Sequence, residues 1–186
     1  MRSAYPASQL LLNVSPPVAL PETAPSRAAA YLLLDVAGQT CALPREAVRE
    51  VLPLPDLFQP PTGGSWLAGF LNLGGAPVPV IDLARLFSLR AGRSEPGPYA
   101  HLVLVAEGAR ALLVDRASDL VSVPPEAVRP VEPGQTLNGC VAAEVTVRGR
   151  LVHALSLARI LTQEESGRLD ALARAARARL ADLPTA

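Results

Sequence analysis

From residue 29 onward, short apolar runs alternate with breaks marked by Gly and Pro. Residues 31–36 and 40–43 flank Ala37-Gly38-Gln39 and have the length and composition of a strand pair closed by a tight turn. Pro44 opens a short helical or turn segment, and 48–54 predicts a third strand stopped by Pro53 and Pro55. Val48 and Val51 fall on different faces of that strand, so one is expected inside and the other outside. A loop over 56–65, with Pro60, Pro61, Gly63 and Gly64, leads to strands at 66–73 and 76–81. These join at Gly74-Gly75, where positive φ costs little. Pro77 and Pro79 share a face of the second strand and lack N–H groups, so one side of it is expected to be free of ladder bonds. Asp82 is placed to cap a short helix.

After a polar linker over 90–98 the pattern restarts. Strands are predicted at 99–106 and 110–114 around Glu107-Gly108, at 117–123 before Pro124-Pro125, and at 137–147 and 150–155 around Arg148-Gly149. Short strands with few helices between them predict a mostly β fold of two small antiparallel barrels side by side. The first is expected over about 29–89 and the second over about 98–155, with the final segment able to pack back on the first.

Residues 156–161 predict a helical turn. Thr162 then stands three residues before Glu165, the spacing of a capping box, and Leu169, Leu172, Ala176, Leu180 and Leu183 recur at helical intervals. This predicts an amphipathic C-terminal helix over 163–183, with Pro184 beyond its end. Its stripe is expected to cover the chain's own barrels, the competing reading being engagement of another protein. Residues 1–28 carry Pro6, Pro16, Pro17, Pro21 and Pro25 without apolar periodicity and are expected to form a flexible tail.

Composition narrows the chemistry. Apolar residues make up 49% of the 186 and charged residues 18%, which fits a folded domain, and the 4% aromatic content leaves the core to Leu, Val and Ala. Seventeen basic residues balance seventeen acidic ones with no basic stripe, which argues against nucleic acid. Every basic side chain is Arg, so neither a Schiff-base amine nor a phosphate-loop Lys is present. Cys41 and Cys140 are far apart and lack zinc spacing. No window approaches the roughly 18 apolar residues of a bilayer span, and Leu10-Leu11-Leu12 is too short for an export core, so cytoplasmic residence is expected.

His101 and His153 lie in apolar strands with no triad spacing around them. Asp35, Asp82, Asp115 and Asp119 have ordinary places at caps, strand exits and turns. No glycine cluster has dinucleotide or phosphate-loop spacing. No catalytic, cofactor or metal residues are therefore assigned, and function is expected to lie in a surface.

Two ordered signatures carry a resemblance. One runs Gly69-Phe70-Leu71-Asn72-Leu73-Gly74-Gly75 through Pro79-Val80-Ile81-Asp82-Leu83, and the other is Val114-Asp115-Arg116-Ala117-Ser118-Asp119-Leu120, continuing into Pro124-Pro125-Glu126. Tyr31 to Asp35, Ala42 to Pro44, Val48 to Val51 and Gly149 to Val152 add shorter blocks. Over about 29–162 the chain resembles the CheW family, the coupling proteins of bacterial chemotaxis arrays, whose domain also forms the regulatory module of the kinase CheA.

The resemblance implies two five-stranded SH3-like barrels with a hydrophobic groove between them. It also implies a non-catalytic adaptor joining a methyl-accepting receptor tip to a CheA-type histidine kinase, in chemotaxis or surface motility. Carried over by position, Val48, Glu50 and Gly69 would face the kinase, while Gly74, Val114 and Asp115 would lie near the receptor helices. No cofactor, nucleic acid or membrane insertion is implied, and self-association is a further contact that the shared fold permits. Gly74 replaces the family's usual Arg, which removes a guanidinium fork able to bind carboxylates or brace the barrel junction. That substitution and the extra helix frame the alternative: a diverged CheW-like scaffold that binds itself or another regulator without coupling receptors.

Overall fold

The computed structural model describes residues 28–59, 66–90, 96–132 and 139–181. The expected tail before residue 28, the glycines and prolines at 60–65, Leu137, Leu183 and Pro184 lie outside them.

Strands β1 (Ala29–Val36) and β2 (Gln39–Pro44) form the first hairpin, turning at Ala37 and Gly38, which both have positive φ. A 3-10 turn at Arg45–Ala47 leads into β3 (Val48–Pro53). Strands β4 (Leu67–Leu73) and β5 (Ala76–Asp82) follow, turning at Gly74 and Gly75 (φ +61° and +86°). Helix α1 (Leu83–Leu86) starts on Asp82, whose side chain accepts a hydrogen bond from the Arg85 N–H at 3.1 Å. The second half comprises β6 (His101–Val105), β7 (Ala111–Val114), β8 (Arg116–Val123), β9 (Val128–Pro130), β10 (Val141–Val147) and β11 (Arg150–Leu155). Helices α2 (Leu157–Ile160) and α3 (Gln163–Ala181) complete the described chain.

The expected pair of closed barrels is corrected by the strand order. A six-stranded sheet runs β8-β1-β2-β11-β10-β9 and a five-stranded sheet runs β3-β6-β7-β5-β4; neither is closed by hydrogen bonds between its end strands. Nor are they all antiparallel, because β2 pairs with β11 and β5 with β7 in parallel. Each sheet also takes strands from both sides of the 90–98 linker.

The backbone explains the open five-stranded sheet. Along the described residues 54–59 that leave β3, the Leu54 N–H donates to the Ala100 carbonyl at 3.1 Å, and Phe58 forms an isolated antiparallel bridge to Phe70. Pro53 and Pro55 supply no N–H on this path, so Leu52, Leu54 and Leu57 complete the enclosure by apolar packing. In the other sheet the Arg148 guanidinium in the β10–β11 turn reaches Asp119 of β8 at 2.6 Å, an exposed link between distant strands.

Burial on both faces follows from the alternation of side chains. Leu33 and Ala42 face a core within the six-stranded sheet, and Leu102, Leu104, Ala111 and Leu113 face one within the five-stranded sheet. Their neighbours Leu34, Leu43, Val103, Val105, Leu112 and Val114 point the other way, into a third core shared by both sheets. The strands in the middle therefore read as nearly continuous apolar runs. Each fully buried Leu or Val contributes about 1.5–3 kcal/mol.

Helix α3 lies against β5, burying Leu169 completely in the shared core, with Leu172, Ala173 and Ala176 half-buried against it. The part of the stripe from Leu169 to Ala176 is thus used by the chain itself, while the side chains of Leu180 and Leu183 lie outside the described residues. The capping box forms as spaced: the Thr162 N–H donates to Glu165 Oε2 at 2.8 Å and the Glu165 N–H to Thr162 Oγ1 at 3.2 Å. The expectation for β5 needs limiting, because pairing with β7 covers Val80, Ile81 and Asp82. Among the described residues, its first half, with Pro77 and Pro79, has no ladder partner on that side.

Candidate functional site

The six residues singled out from the sequence do not form one cluster. Val48 and Glu50 sit on β3, an edge of the five-stranded sheet, and Gly69 sits on β4, its opposite edge. Glu50 and Gly69 are level along the strands, since Glu50 pairs with Leu104, Leu104 with Ala111, Ala111 with Val80, and Val80 with Gly69. Gly74 lies at the tip of the β4–β5 hairpin, whereas Val114 is the last residue of β7 and Asp115 follows it, both beyond the far end of β5. At about 3.3 Å per residue, Gly74 and Asp115 are roughly 30 Å apart along the strand direction.

Their exposure differs as much as their position. Glu50 and Gly74 are exposed, while Val48 and Val114 are buried in the shared core. The expectation that Val48 and Val51 face opposite ways is corrected: the register of β3 against β6 shifts between Val48 and Glu50, and Val51 packs, half-buried, against the same core as Val48. The extra residue of a bulge changes which side the later side chains take.

Asp115 is the best-connected of the six. It joins β7 of one sheet to β8 of the other, and its N–H donates to the Asp35 carbonyl at 3.0 Å. Its Oδ2 accepts from the Ala37 N–H at 2.6 Å and its Oδ1 from Arg90 at 2.6 Å. The Arg90–Asp115 hydrogen bond pushes the guanidinium pKa further up, against the opposing effect of burial. Asp35 in turn accepts from the Gly38 N–H at 2.7 Å, stiffening the same hairpin. This network clamps the β1–β2 turn to the point where the chain passes between sheets.

Arg90 was not legible from spacing, because it stands at the start of a polar segment with no motif around it. Phe58 was likewise missed: it lies in a Pro-rich stretch, and only its bridge to Phe70 places it beside Gly69. A third link, Arg110 to Asp170 at 3.3 Å and to Ser166 at 3.4 Å, ties the β6–β7 turn to α3.

Neither histidine stands in a reactive constellation: His101 accepts from the Ala117 N–H at 3.4 Å through Nδ1, and His153 pairs across strands with Glu144 and Cys41. Among the described residues, no group of three or more His, Cys, Asp or Glu is placed to hold a metal ion. No helix among them is long and apolar enough to cross a membrane. The arrangement offers charged and apolar surface on a stiff frame.

Comparison with known proteins assigns that frame to a family. A curated relative, the probable chemotaxis protein CheW of Rhizobium etli, is 35% identical over 88 residues. That alignment covers 45% of this chain and 54% of the relative, about half its length. In structure the chain is similar to the scaffolding protein TtCheW of Thermoanaerobacter tengcongensis, with a TM-score of 0.62 at 19% identity. The match covers 73% of this chain and 88% of that one, and it shows a common fold. The family model described as CheW-like domain matches residues 30–165, from the first strand through the capping box of α3, and the chain therefore belongs to the CheW-like domain family.

Proposed function

We propose that this protein is a non-catalytic, cytoplasmic adaptor that couples a methyl-accepting receptor tip to a CheA-type histidine kinase. The observation that carries the reading is the family match over residues 30–165, which takes in every strand except the first residue of β1. The chemistry is consistent with it, because the described residues offer surface features and hold no group of three or more His, Cys, Asp or Glu placed for a metal ion.

The kinase-facing surface in this reading uses the edges of the five-stranded sheet. Glu50 is its exposed charge, Val48 seats β3 from within the core, and Gly69 governs the β4 edge. An edge strand carrying exposed Arg49, Glu50 and Pro53 discourages indiscriminate strand pairing and leaves side chains to choose the partner. The receptor-facing role falls to Gly74 at the hairpin tip and to Val114 and Asp115 at the junction between sheets. Since Val114 is buried and Asp115 is engaged by Arg90 and Ala37, these two act by holding the junction rigid. Self-association through the same edges is the accompanying contact that the fold allows.

Calorimetric titration of the full chain with the regulatory domain of its cognate kinase tests the reading. Micromolar binding that weakens at least about tenfold in Glu50→Arg is expected, as for an interfacial charge placed opposite a complementary one. Absence of binding to the cognate kinase, in a folded sample, contradicts it.

A further inference from the structure

Gly69 has no side chain to offer a partner, and its backbone is buried. Its φ of +152° disfavours any L side chain, and a Cβ there would stand 2.7 Å from the Phe58 carbonyl oxygen and 3.1 Å from Leu57 Cβ. This bare position lets the Leu57–Phe58 backbone lie against β4. In the resulting bridge the Phe58 N–H donates to Phe70 at 2.9 Å and the Phe70 N–H to Phe58 at 2.7 Å.

The bridge holds an apolar ring outward. Of the three phenylalanines, Phe70 and Phe87 are 3% and 9% exposed, whereas Phe58 is 63% exposed. Leu57 beside it turns inward and packs against the core of the five-stranded sheet. Asp56 and Gln59 are exposed on either side, giving the ring a polar rim, and the carboxylate of Asp56 disfavours insertion into lipid. The segment runs from β3, which bears Glu50, to the edge of β4, which bears Gly69, so the ring stands on the connection between these two elements.

Resting on the kinase-adaptor reading, we propose that Phe58 is the apolar anchor by which this surface engages the kinase regulatory domain, with Gly69 acting through it as a positioning residue. An exposed aromatic ring on a backbone fixed by a strand bridge, with polar residues nearby in the chain, has the character of an interface hot spot. The complementary feature on the kinase domain is an apolar recess that takes one ring. Substitution at Gly69 pushes the Phe58 carbonyl away, breaks the bridge and releases the anchor.

The test compares kinase regulatory-domain binding and thermal unfolding for the full chain, Phe58→Ala, Phe58→Leu, Gly69→Ala and the double Phe58→Ala/Gly69→Ala variant. Phe58→Ala is expected to weaken binding at least about tenfold with an unfolding temperature like that of the parent, because the ring is mostly outside the core. Phe58→Leu retains part of the affinity. Gly69→Ala also weakens binding, and the double variant binds no worse than the weaker single one, the signature of two residues acting as a unit. Parent-like binding by Phe58→Ala overturns the anchor, and losses that multiply in the double variant overturn the positioning role. If Gly69→Ala does not fold, the two Phe58 variants still decide the anchor. A parent chain that fails to bind overturns the adaptor reading and this inference together, whereas a parent that binds alongside an unaffected Phe58→Ala overturns the inference alone.

Discussion

Asp82 uses one carboxylate for two tasks. Its Oδ1 caps α1 through the Arg85 N–H, and its Oδ2 lies 3.1 Å from Arg85 Nε, with the carboxylate side chain only 2% exposed. Asp82→Ala removes the cap and the nearest carboxylate from a mostly buried guanidinium, so a loss of about 1–3 kcal/mol is expected in urea unfolding. At Gly74 the constraint is conformational. A Cβ would meet nothing within 4 Å, yet φ is +61°, so Gly74→Arg, which restores the family's usual residue, should cost only about 1 kcal/mol in the same assay.

The thiols give a pH dependence of definite sign. Burial, assisted by the Asp35 charge, pushes Cys41 from its ordinary 9.0 up to about 11. Burial and then the Glu165 charge raise Cys140, and burial and then Glu46 raise Tyr31. Each anion is favoured in the unfolded chain, so the contribution of Cys41 is complete below pH 9 and is lost as pH rises from 9 towards 11. With no lysine in the sequence, this alkaline loss is little obscured by amine titration. Unfolding free energy should decline across that window, and Cys41→Ala should flatten the decline. In the native protein at pH 8, a thiol reagent should leave Cys41 largely unmodified until denaturant is added.

Among the elements, α3 makes the clearest energetic claim. Leu169 is its one fully buried side chain among the described residues, so Leu169→Ala should destabilise by about 2–5 kcal/mol, against about 1 kcal/mol for Thr162→Ala at the capping box. Both are read from the unfolding midpoint. This helix, its cap and its buried face were legible because a 3.6-residue period and a capping box act locally. The hairpins at Gly38, Gly74, Gly108 and Gly149 were legible for the same reason: each turn glycine has positive φ and joins strands adjacent in sequence. The parallel pairs β2–β11 and β5–β7 were not, since no turn residue announces a partner strand far along the chain. Strand β9, only Val128–Pro130, is too short to carry a period of its own. The bulge that turns Val51 towards the core leaves no mark in a strictly alternating pattern.

At the scale of the whole molecule, interleaving is the main physical consequence of the corrected topology. β1 and β2 belong to the same sheet as β8 to β11, while β6 and β7 complete the sheet begun by β3 to β5. The shared core adds contacts that neither half can make alone. Fragments divided at the 90–98 linker should therefore each lack a cooperative unfolding transition by circular dichroism, and the intact chain should show one. The candidate site was only half legible for a related reason. The family blocks gave the six positions, but the distance between Gly74 and Asp115, the burial of Val48 and Val114, and the partners Phe58 and Arg90 arise from strand pairings distant in sequence.

This frame is proposed to place a kinase contact and a receptor contact on one stiff body, and a three-component sedimentation experiment tests that most directly. A membrane-embedded cognate receptor is incubated with the kinase regulatory domain, with and without the full adaptor chain, and pelleted. Kinase domain should enter the pellet with the receptor only when the adaptor is present, and Glu50→Arg should abolish its recruitment while the adaptor itself still pellets. Kinase recruitment that is the same with and without the adaptor, or an adaptor that remains in the supernatant, contradicts the bridging role.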